Sequence, residues 1–314
     1  MYFVGRRLII TLITLFLVSV FTFAAFNIIP GDSALLALGT EATDEQVEAL
    51  RTEMGLDKPL PVQYFSWLKN FLTGNLGNSS RFRGASISGM IRERLPVTFS
   101  LASIALVFIL IISIPAVLLS VKKEGSVLDR IMNTLTALNI SFPGFFLAVL
   151  FIWVFGLIFK LFVPGAYVDY RTNSVGFLGY LMFPALAIAI PNAAILVKFL
   201  RASVFQQLRS DYVRTAYSKG NSSGRTLHVH VLKNAIIPGV TLLGMIIGEI
   251  FSGSIVIEQV FTIPGIGRLL IASITSRDYP MVQTLVVYIA FIVIVANTLV
   301  DIAIQSIDPR IRVR

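Results

Sequence analysis

Between Val97 and Val121 the chain carries no charged side chain. A run of that length matches the roughly 20 apolar residues that a helix needs to cross a bilayer. Inside lipid each backbone N–H and C=O must be satisfied within the segment, so the run is expected to be helical. Five more apolar stretches accompany it: Leu8 to Ile29, Ile131 to Val163, Leu178 to Leu200, Ile237 to Ile257 and Met281 to Ile304. The pattern predicts an all-α integral membrane protein with about six transmembrane helices.

Particular residues refine these spans. Arg6 and Arg7 precede the first run as in a signal peptide, but the run exceeds the about 7–15 apolar residues of such a leader and is expected to be retained. Ile131 to Val163, at 33 residues, is too long for one straight span, and Pro143-Gly144 should break or bend it. Pro184 and Pro191 fall inside the fourth span, where neighbours or a cavity must satisfy the freed carbonyls. They fit a translocation path and simple kinks equally well. In the fifth span Gly244, Gly248 and Ser252 recur every four residues, a small-residue face that permits close packing. Glu249 stands on that face near mid-membrane. A carboxylate there implies a lumen-facing position, a polar partner, or a protonated group bonded to a neighbouring helix.

Composition narrows the partners. At 55% hydrophobic and 14% charged, the chain has a membrane composition. Its net charge of +9 is read as basic residues flanking the spans rather than as a nucleic-acid surface. There is no cysteine, hence no disulfide and no thiolate metal site. The two histidines, His228 and His230, are two positions apart and would point to different faces of a helix, which argues against a shared metal ion.

Six spans place both ends of the sequence on one side. With residue 1 inside, fifteen Lys and Arg fall inside and eleven outside. Seven of the eleven belong to the long polar segment 30–96, and long loops carry little weight in the positive-inside rule. Without it the outside holds only four, which puts the polar loop 201–236 in the cytoplasm.

Two polar segments hold the remaining information. Residues 30–96 open on Pro30-Gly31-Asp32 and contain two amphipathic stretches, near Asp44 to Met54 and Pro61 to Leu72. Thr43 or Asp44 can cap the first, and Gly55 to Pro59 has stop-and-turn chemistry. The second segment, Ser210 to Pro238, reads SDYVRTAYSKGNSSGRTLHVHVLKNAIIP. Ser210 or Asp211 can cap a short helix, with Tyr212, Thr215, Ala216 and Lys219 at helical spacing and Gly220 at a left-handed stop. Ser222 and Ser223 can cap a second helix running through Leu227, Val231 and Leu232 towards Pro238. A solvated loop and a docking helix-turn-helix both fit the pattern.

RTAYSKG, with Leu232 and Pro238 behind it, resembles the cytoplasmic "EAA" loop of permease subunits in bacterial binding-protein-dependent ABC importers. Arg214 and Thr215 stand where that motif has glutamate, as in the oligopeptide, dipeptide and nickel permeases. PGD, MGLDKP, QYFSWL, GNLGNS and RLPVT resemble the extracytoplasmic segment of the same subfamily, with Asn75 in place of an expected aspartate. EQVFTIPGIGRLLIASITSRDYPMVQ, between the last two spans, and the terminal DPRIR match as well, so the likeness covers nearly the whole chain.

The resemblance implies a type I ABC importer transmembrane domain in the bacterial inner membrane. It divides the chain into a first helix (1–29), an extracytoplasmic segment (30–96) and a permease core (97–314) with coupling loop 201–236. It further implies a second homologous permease, two ATPase subunits carrying ATP and magnesium, an extracytoplasmic substrate-binding protein and a peptide cargo. Nickel or a metal chelate is the alternative cargo. Tyr212, Arg214, Ala216, Lys219 and Gly220 are then the candidate contacts with the ATPase, and Glu249 the candidate pathway or interface residue. The small Ala216 would let the helix end enter a cleft on the ATPase.

The chain has no GxxxxGK[ST] phosphate loop, no HExxH and no GxSxG elbow. Two other classes stay open: a stand-alone secondary transporter, for which more intramembrane ionisable groups would be expected, and an intramembrane enzyme, for which paired catalytic residues would be.

Overall fold

The computed structural model describes residues 2–28, 38, 42–53, 55–82 and 84–307. The PGD and DPRIR strings lie outside them, as do the last three arginines of the charge count. Eleven helices account for most of the described chain. They are α1 (Tyr2–Ile28), α2 (Asp44–Glu53), α3 (Leu60–Leu72), α4 (Ile87–Lys122), α5 (Val127–Ser141), α6 (Gly144–Ile158), α7 (Ser174–Leu208), α8 (Asp211–Ser218), α9 (Ser223–Val260), α10 (Ile266–Thr275) and α11 (Tyr279–Ile307). Among the described residues, five helices are long and apolar enough to cross a membrane, and the bent pair α5–α6 makes a sixth.

The helices outrun the apolar stretches that announce them. α4 starts ten residues before Val97 and passes through Pro96, and α7 extends from Ser174 to Leu208. α9 runs unbroken through Pro238, where the sequence suggests a helix end, because the loop helix and the fifth span are one element of 38 residues. At Pro143 the expected break is found: α5 and α6 meet at 99°. Gly144 allows it, since a Cβ there would lie 3.2 Å from the Ala187 carbonyl oxygen of α7. The second half of α6, Ile152–Ile158, is wound as a π-helix.

The chain divides into two compact units, residues 1–98 with 264–294, and residues 99–263 with 295–314. In the second, α7 is the central element. Two thirds of its apolar window is buried, and Pro184 lies within that buried surface. α5, α6 and α9 all pack on it. Gly239 of α9 marks the closest approach, where a Cβ would sit 2.3 Å from Leu200 Cδ2, and beside it Ser203 Oγ donates to the Ala235 carbonyl at 2.9 Å. Gly244 in turn admits Val300 of α11, with a virtual Cβ 2.9 Å from Val300 Cγ1, whereas Ser252 of the same four-residue repeat is exposed.

The first unit holds the two expected amphipathic helices almost where the sequence puts them. Thr43 N–H bonds Gln46 Oε1 at 3.0 Å while Gln46 N–H bonds Thr43 Oγ1 at 3.4 Å, a reciprocal cap for α2. Gly55, at φ +68°, ends that helix. α3 lies against α1: Tyr64 is buried between Phe16 and Phe23, and its hydroxyl meets Ser19 Oγ at 2.8 Å. A core of Ile87, Ile91, Ile266, Leu269, Met281 and Leu285 joins the start of α4 to α10 and the start of α11.

Asp278, fully buried, fastens the turn 79–82 to this core. Its carboxylate accepts from the Ser79 hydroxyl, from Ser80 Oγ at 3.1 Å and from the Met281 N–H at 3.4 Å. Hydrogen bonds to a charged group are worth about 1.5–3 kcal/mol, and the hydroxyls would be orphaned without it. We expect Asp278→Ala to raise amide exchange across residues 79–87 by tenfold or more while exchange in α7 is unchanged; equal protection in both variants would show that the cluster holds nothing.

Candidate functional site

The polar loop after α7 is a folded, capped structure. Ser210 precedes α8 but does not cap it as expected: no side chain bonds the first N–H groups. The Ser210 hydroxyl turns back to the Gln206 carbonyl at 3.5 Å, while Thr215 Oγ1 donates to the Asp211 carbonyl at 3.0 Å. At its end Gly220 N–H donates to the Tyr217 carbonyl at 2.9 Å and Asn221 N–H to the Ala216 carbonyl at 3.2 Å, the double bond pattern of a Schellman stop. Gly220 takes φ +80°, and nothing lies within 4 Å of a virtual Cβ, so the backbone conformation alone calls for glycine. Ser222 Oγ accepts from Arg225 N–H at 3.4 Å and starts α9. A π-helical segment, Thr226–Val231, follows at once, a feature with no signal in the sequence pattern.

α8 packs on that π-segment. Its buried residues are Val213 and Ala216, one turn apart, facing a segment whose buried residues are Thr226, Leu227 and Val231. Ala216 thus points inward, not toward an external cleft. Tyr212 is half-buried and donates its hydroxyl to Gln207 Oε1 at 2.9 Å, which ties α8 to the end of α7. Arg214 and Lys219 point outward. Among the described residues Arg214 pairs only with the exposed Asp211 at 3.9 Å, a contact of little strength. The outward aromatic is Tyr217, 44% exposed. The spacing Tyr212–Thr215–Ala216–Lys219 missed it, because the buried pair sets the helix phase at Val213–Ala216 and so turns Tyr217 out.

A partly buried ion pair lies in the same unit. Asp129 of α5 accepts from Arg201 Nη2 of α7 at 2.9 Å, from the Gly125 N–H at 3.2 Å and from the Ser120 hydroxyl of α4. Arg201 also reaches Asn133 and stacks over Phe205. One carboxylate thereby gathers the ends of three helices, and the chain leaves α7 for α8 seven residues past Arg201.

Glu249 is not part of this loop. It lies 18 residues beyond Val231 on α9, about 27 Å at helical rise. Its side chain is exposed, and among the described residues it makes no hydrogen bond or ion pair. Thr241, Met245, Ser252, Val256 and Gln259 are exposed along the same helix, so the outward stripe of α9 mixes polar, small and apolar side chains. α1 differs, exposing Leu8, Ile9, Leu12, Ile13, Phe16 and Phe21.

Comparison with known families bears on this geometry. Residues 114–313 match the binding-protein-dependent transport system inner membrane component, and residues 1–102 match the N-terminal region of such membrane components. The chain belongs to this family. Its permeases are the membrane subunits of ABC importers, with the type I transmembrane fold. Similar proteins include a putative peptide permease of Brucella suis (37% identical, 98% of each chain). A probable peptide ABC transporter permease of Sinorhizobium fredii is 33% identical over 99% of each chain. The oligopeptide transport system permease AppB of Bacillus subtilis is 32% identical over 98% of each.

The φ of +80° at Gly220 gives a direct test of the permease loop. A β-branched residue in the left-handed region costs about 1–2 kcal/mol, whereas asparagine visits it more readily. Gly220→Val should speed amide exchange at Tyr217–Asn221 about tenfold, with Gly220→Asn close to wild type. Equal protection in all three would mean that the stop is not held by its backbone.

Proposed function

We propose that this chain is one of two related permease subunits of an ATP-driven importer that carries oligopeptides or dipeptides across the cytoplasmic membrane. The observation that carries the proposal is the folded α8–turn–α9 unit with its outward face of Arg214, Tyr217 and Lys219, in a chain similar over nearly its full length to permeases named for peptides. In this reading the outward face docks on one of two ATPase subunits, which bind ATP and magnesium. An extracytoplasmic binding protein delivers the peptide, and a second permease completes the path. The α8 loop lies in the cytoplasm, with residue 1 and the end of α11 on the same side. Residues 42–86 lie outside.

The chemistry of coupling follows from the packing. Val213 and Ala216 seat α8 on the start of α9, so a displacement of the exposed face moves the base of that span. Tyr212 and Gln207 pass the same displacement to α7. The polar stripe of α9 suits a water-filled path or a second permease better than lipid, where a carboxylate near the bilayer centre costs about 2.5–3.5 kcal/mol on insertion scales.

The absence of native cysteine makes a thiol experiment clean. In right-side-out cells, Asn75→Cys should react with a membrane-impermeant maleimide and Tyr217→Cys should not; Tyr217→Cys should cross-link to the co-purifying ATPase, whereas the buried Val213→Cys should not. Labelling of Tyr217→Cys from outside would overturn the orientation. Cross-linking from position 213 but not 217 would overturn the docking face.

Glu249→Gln keeps shape and hydrogen-bonding capacity without charge. We expect normal assembly with the ATPase and at least a tenfold loss of peptide uptake by proteoliposomes. Unchanged uptake would remove a charge at this position from the path.

A further inference from the structure

The first unit contains a cavity of about 360 Å³ that none of the transport roles uses. Its walls come from the end of α1 (Phe26), the turn before α3 (Lys58), α3 itself (Trp67, Asn70) and the start of α11 (Tyr279, Gln283). Three observations point to an occupant. The Gln283 side-chain nitrogen is buried and has no hydrogen-bond partner among the described residues, a donor that a ligand would satisfy. Among the described residues the Lys58 ammonium makes no ion pair. Four aromatic residues, Phe23, Phe26, Trp67 and Tyr279, stand among the polar groups of the remaining wall, with Trp67 tilted on Phe23 at 6.0 Å.

The position of this cavity identifies the ligand class. Phe26 lies two residues from the end of the α1 span, and Tyr279 begins the α11 span. The cavity therefore sits where both spans leave the hydrocarbon, the level at which tryptophan and tyrosine collect. α1 offers an exposed apolar surface leading away from it, including Phe21 at 70% exposure. α3 adds Phe65 at 63% and Leu72 at 75%, as a helix lying in the interface does. A cation, an unmatched amide donor, further polar groups and interfacial aromatic rings beside lipid-facing helices suit one molecule: a phospholipid, phosphate against Lys58 and Gln283, acyl chains along α1. A transported peptide would also bring a carboxylate. The polar outward stripe, however, lies on α9 in the other unit.

We infer that this cavity is a binding site for an anionic phospholipid of the leaflet at which α1 ends and α11 begins. In the proposed topology that is the outer leaflet, but the site itself rests only on the first unit and its spans, so it stands whatever the cargo.

The chain supplies its own reporter. It has two tryptophans, Trp67 in the cavity wall and Trp153 exposed in the other unit, so Trp153→Phe leaves Trp67 alone. The full chain carrying that change is reconstituted in phosphatidylcholine vesicles containing increasing brominated-chain phosphatidylglycerol, or brominated phosphatidylcholine as control. Trp67 should be half-quenched at a mole fraction of phosphatidylglycerol about fivefold lower than of phosphatidylcholine, the preference expected for one lysine near an anionic headgroup. Lys58→Glu and Gln283→Leu should each bring the two lipids within a factor of two, with unchanged helical circular dichroism. Millimolar glycerol 1-phosphate should not relieve the quenching. Equal quenching by both lipids in the parent would overturn the site, as would a preference that survives both variants. Relief by glycerol 1-phosphate would overturn the lipid in favour of a free phosphate.

Discussion

In a bilayer, apolar helices gain little by meeting one another, because lipid tails are as apolar as leucine; packing has to come from close fit and from polar bonds. α7 is where this chain meets that requirement. Its buried surface is rich in alanine, at 185, 187, 189, 193 and 194, so neighbours can approach its backbone. Two of them do so through glycine: Gly144 against the Ala187 carbonyl, and Gly239 against Leu200. The bend between α5 and α6 and the course of α9 both follow from these contacts. Two polar bonds secure them, Ser203 to the Ala235 carbonyl and Arg201 to Asp129. The ion pair is shielded but not isolated, since Asp129 takes three further hydrogen bonds, from Ser120, Gly125 and Asn133, that offset the cost of removing a carboxylate from water.

With α7 buried, the outer helices reveal what surrounds the chain. α1 shows leucine, isoleucine and phenylalanine on its exposed side, a surface that needs only lipid. α9 exposes Thr241, Glu249, Ser252 and Gln259. Ser252 bonds the Gly248 carbonyl of its own helix, but lipid would leave Glu249 and Gln259 without partners, so the stripe calls for water or protein. The single chain is in this sense incomplete. Family membership supplies the kind of complement, and the placement of the polar residues supplies the face.

Much of this was legible in the sequence because the solvent makes it so. Charge-free runs read as spans, and Pro143-Gly144 read as a break. The stops at Gly55 and Gly220 and the caps at Thr43 and Ser222 followed from local chemistry. Helix ends were less legible: once a helix has begun, its ladder continues through polar residues, as α4 does from Ile87 and α9 does from Ser223. The sequence runs a loop helix towards Pro238 and a separate span from Ile237, yet neighbouring packing lets one helix in a bilayer keep an internal proline. The phase of α8 was not legible because an eight-residue helix has one buried pair, and only the position of the π-segment shows that the pair is Val213 with Ala216. Gly239 gave no pattern at all; its meaning depends on Leu200, nearly forty positions away.

The π-segment at Thr226–Val231 is the feature on which the proposed coupling turns. A π-turn inside an α-helix is wider and less well bonded than its flanks and is found mostly where function requires it. Here it lies between the capped start of α9 and the span that carries Glu249, and it is the surface on which α8 rests. A force on Arg214 and Tyr217 thus meets a buried, tightly seated contact first and a locally adjustable helix second. A slack loop would dissipate that force. A perfectly regular helix would move only as a rod. In the proposed coupling, a shift of α8 would reach α9 at its π-segment, on the loop side of the Gly239–Leu200 contact that holds the span to α7.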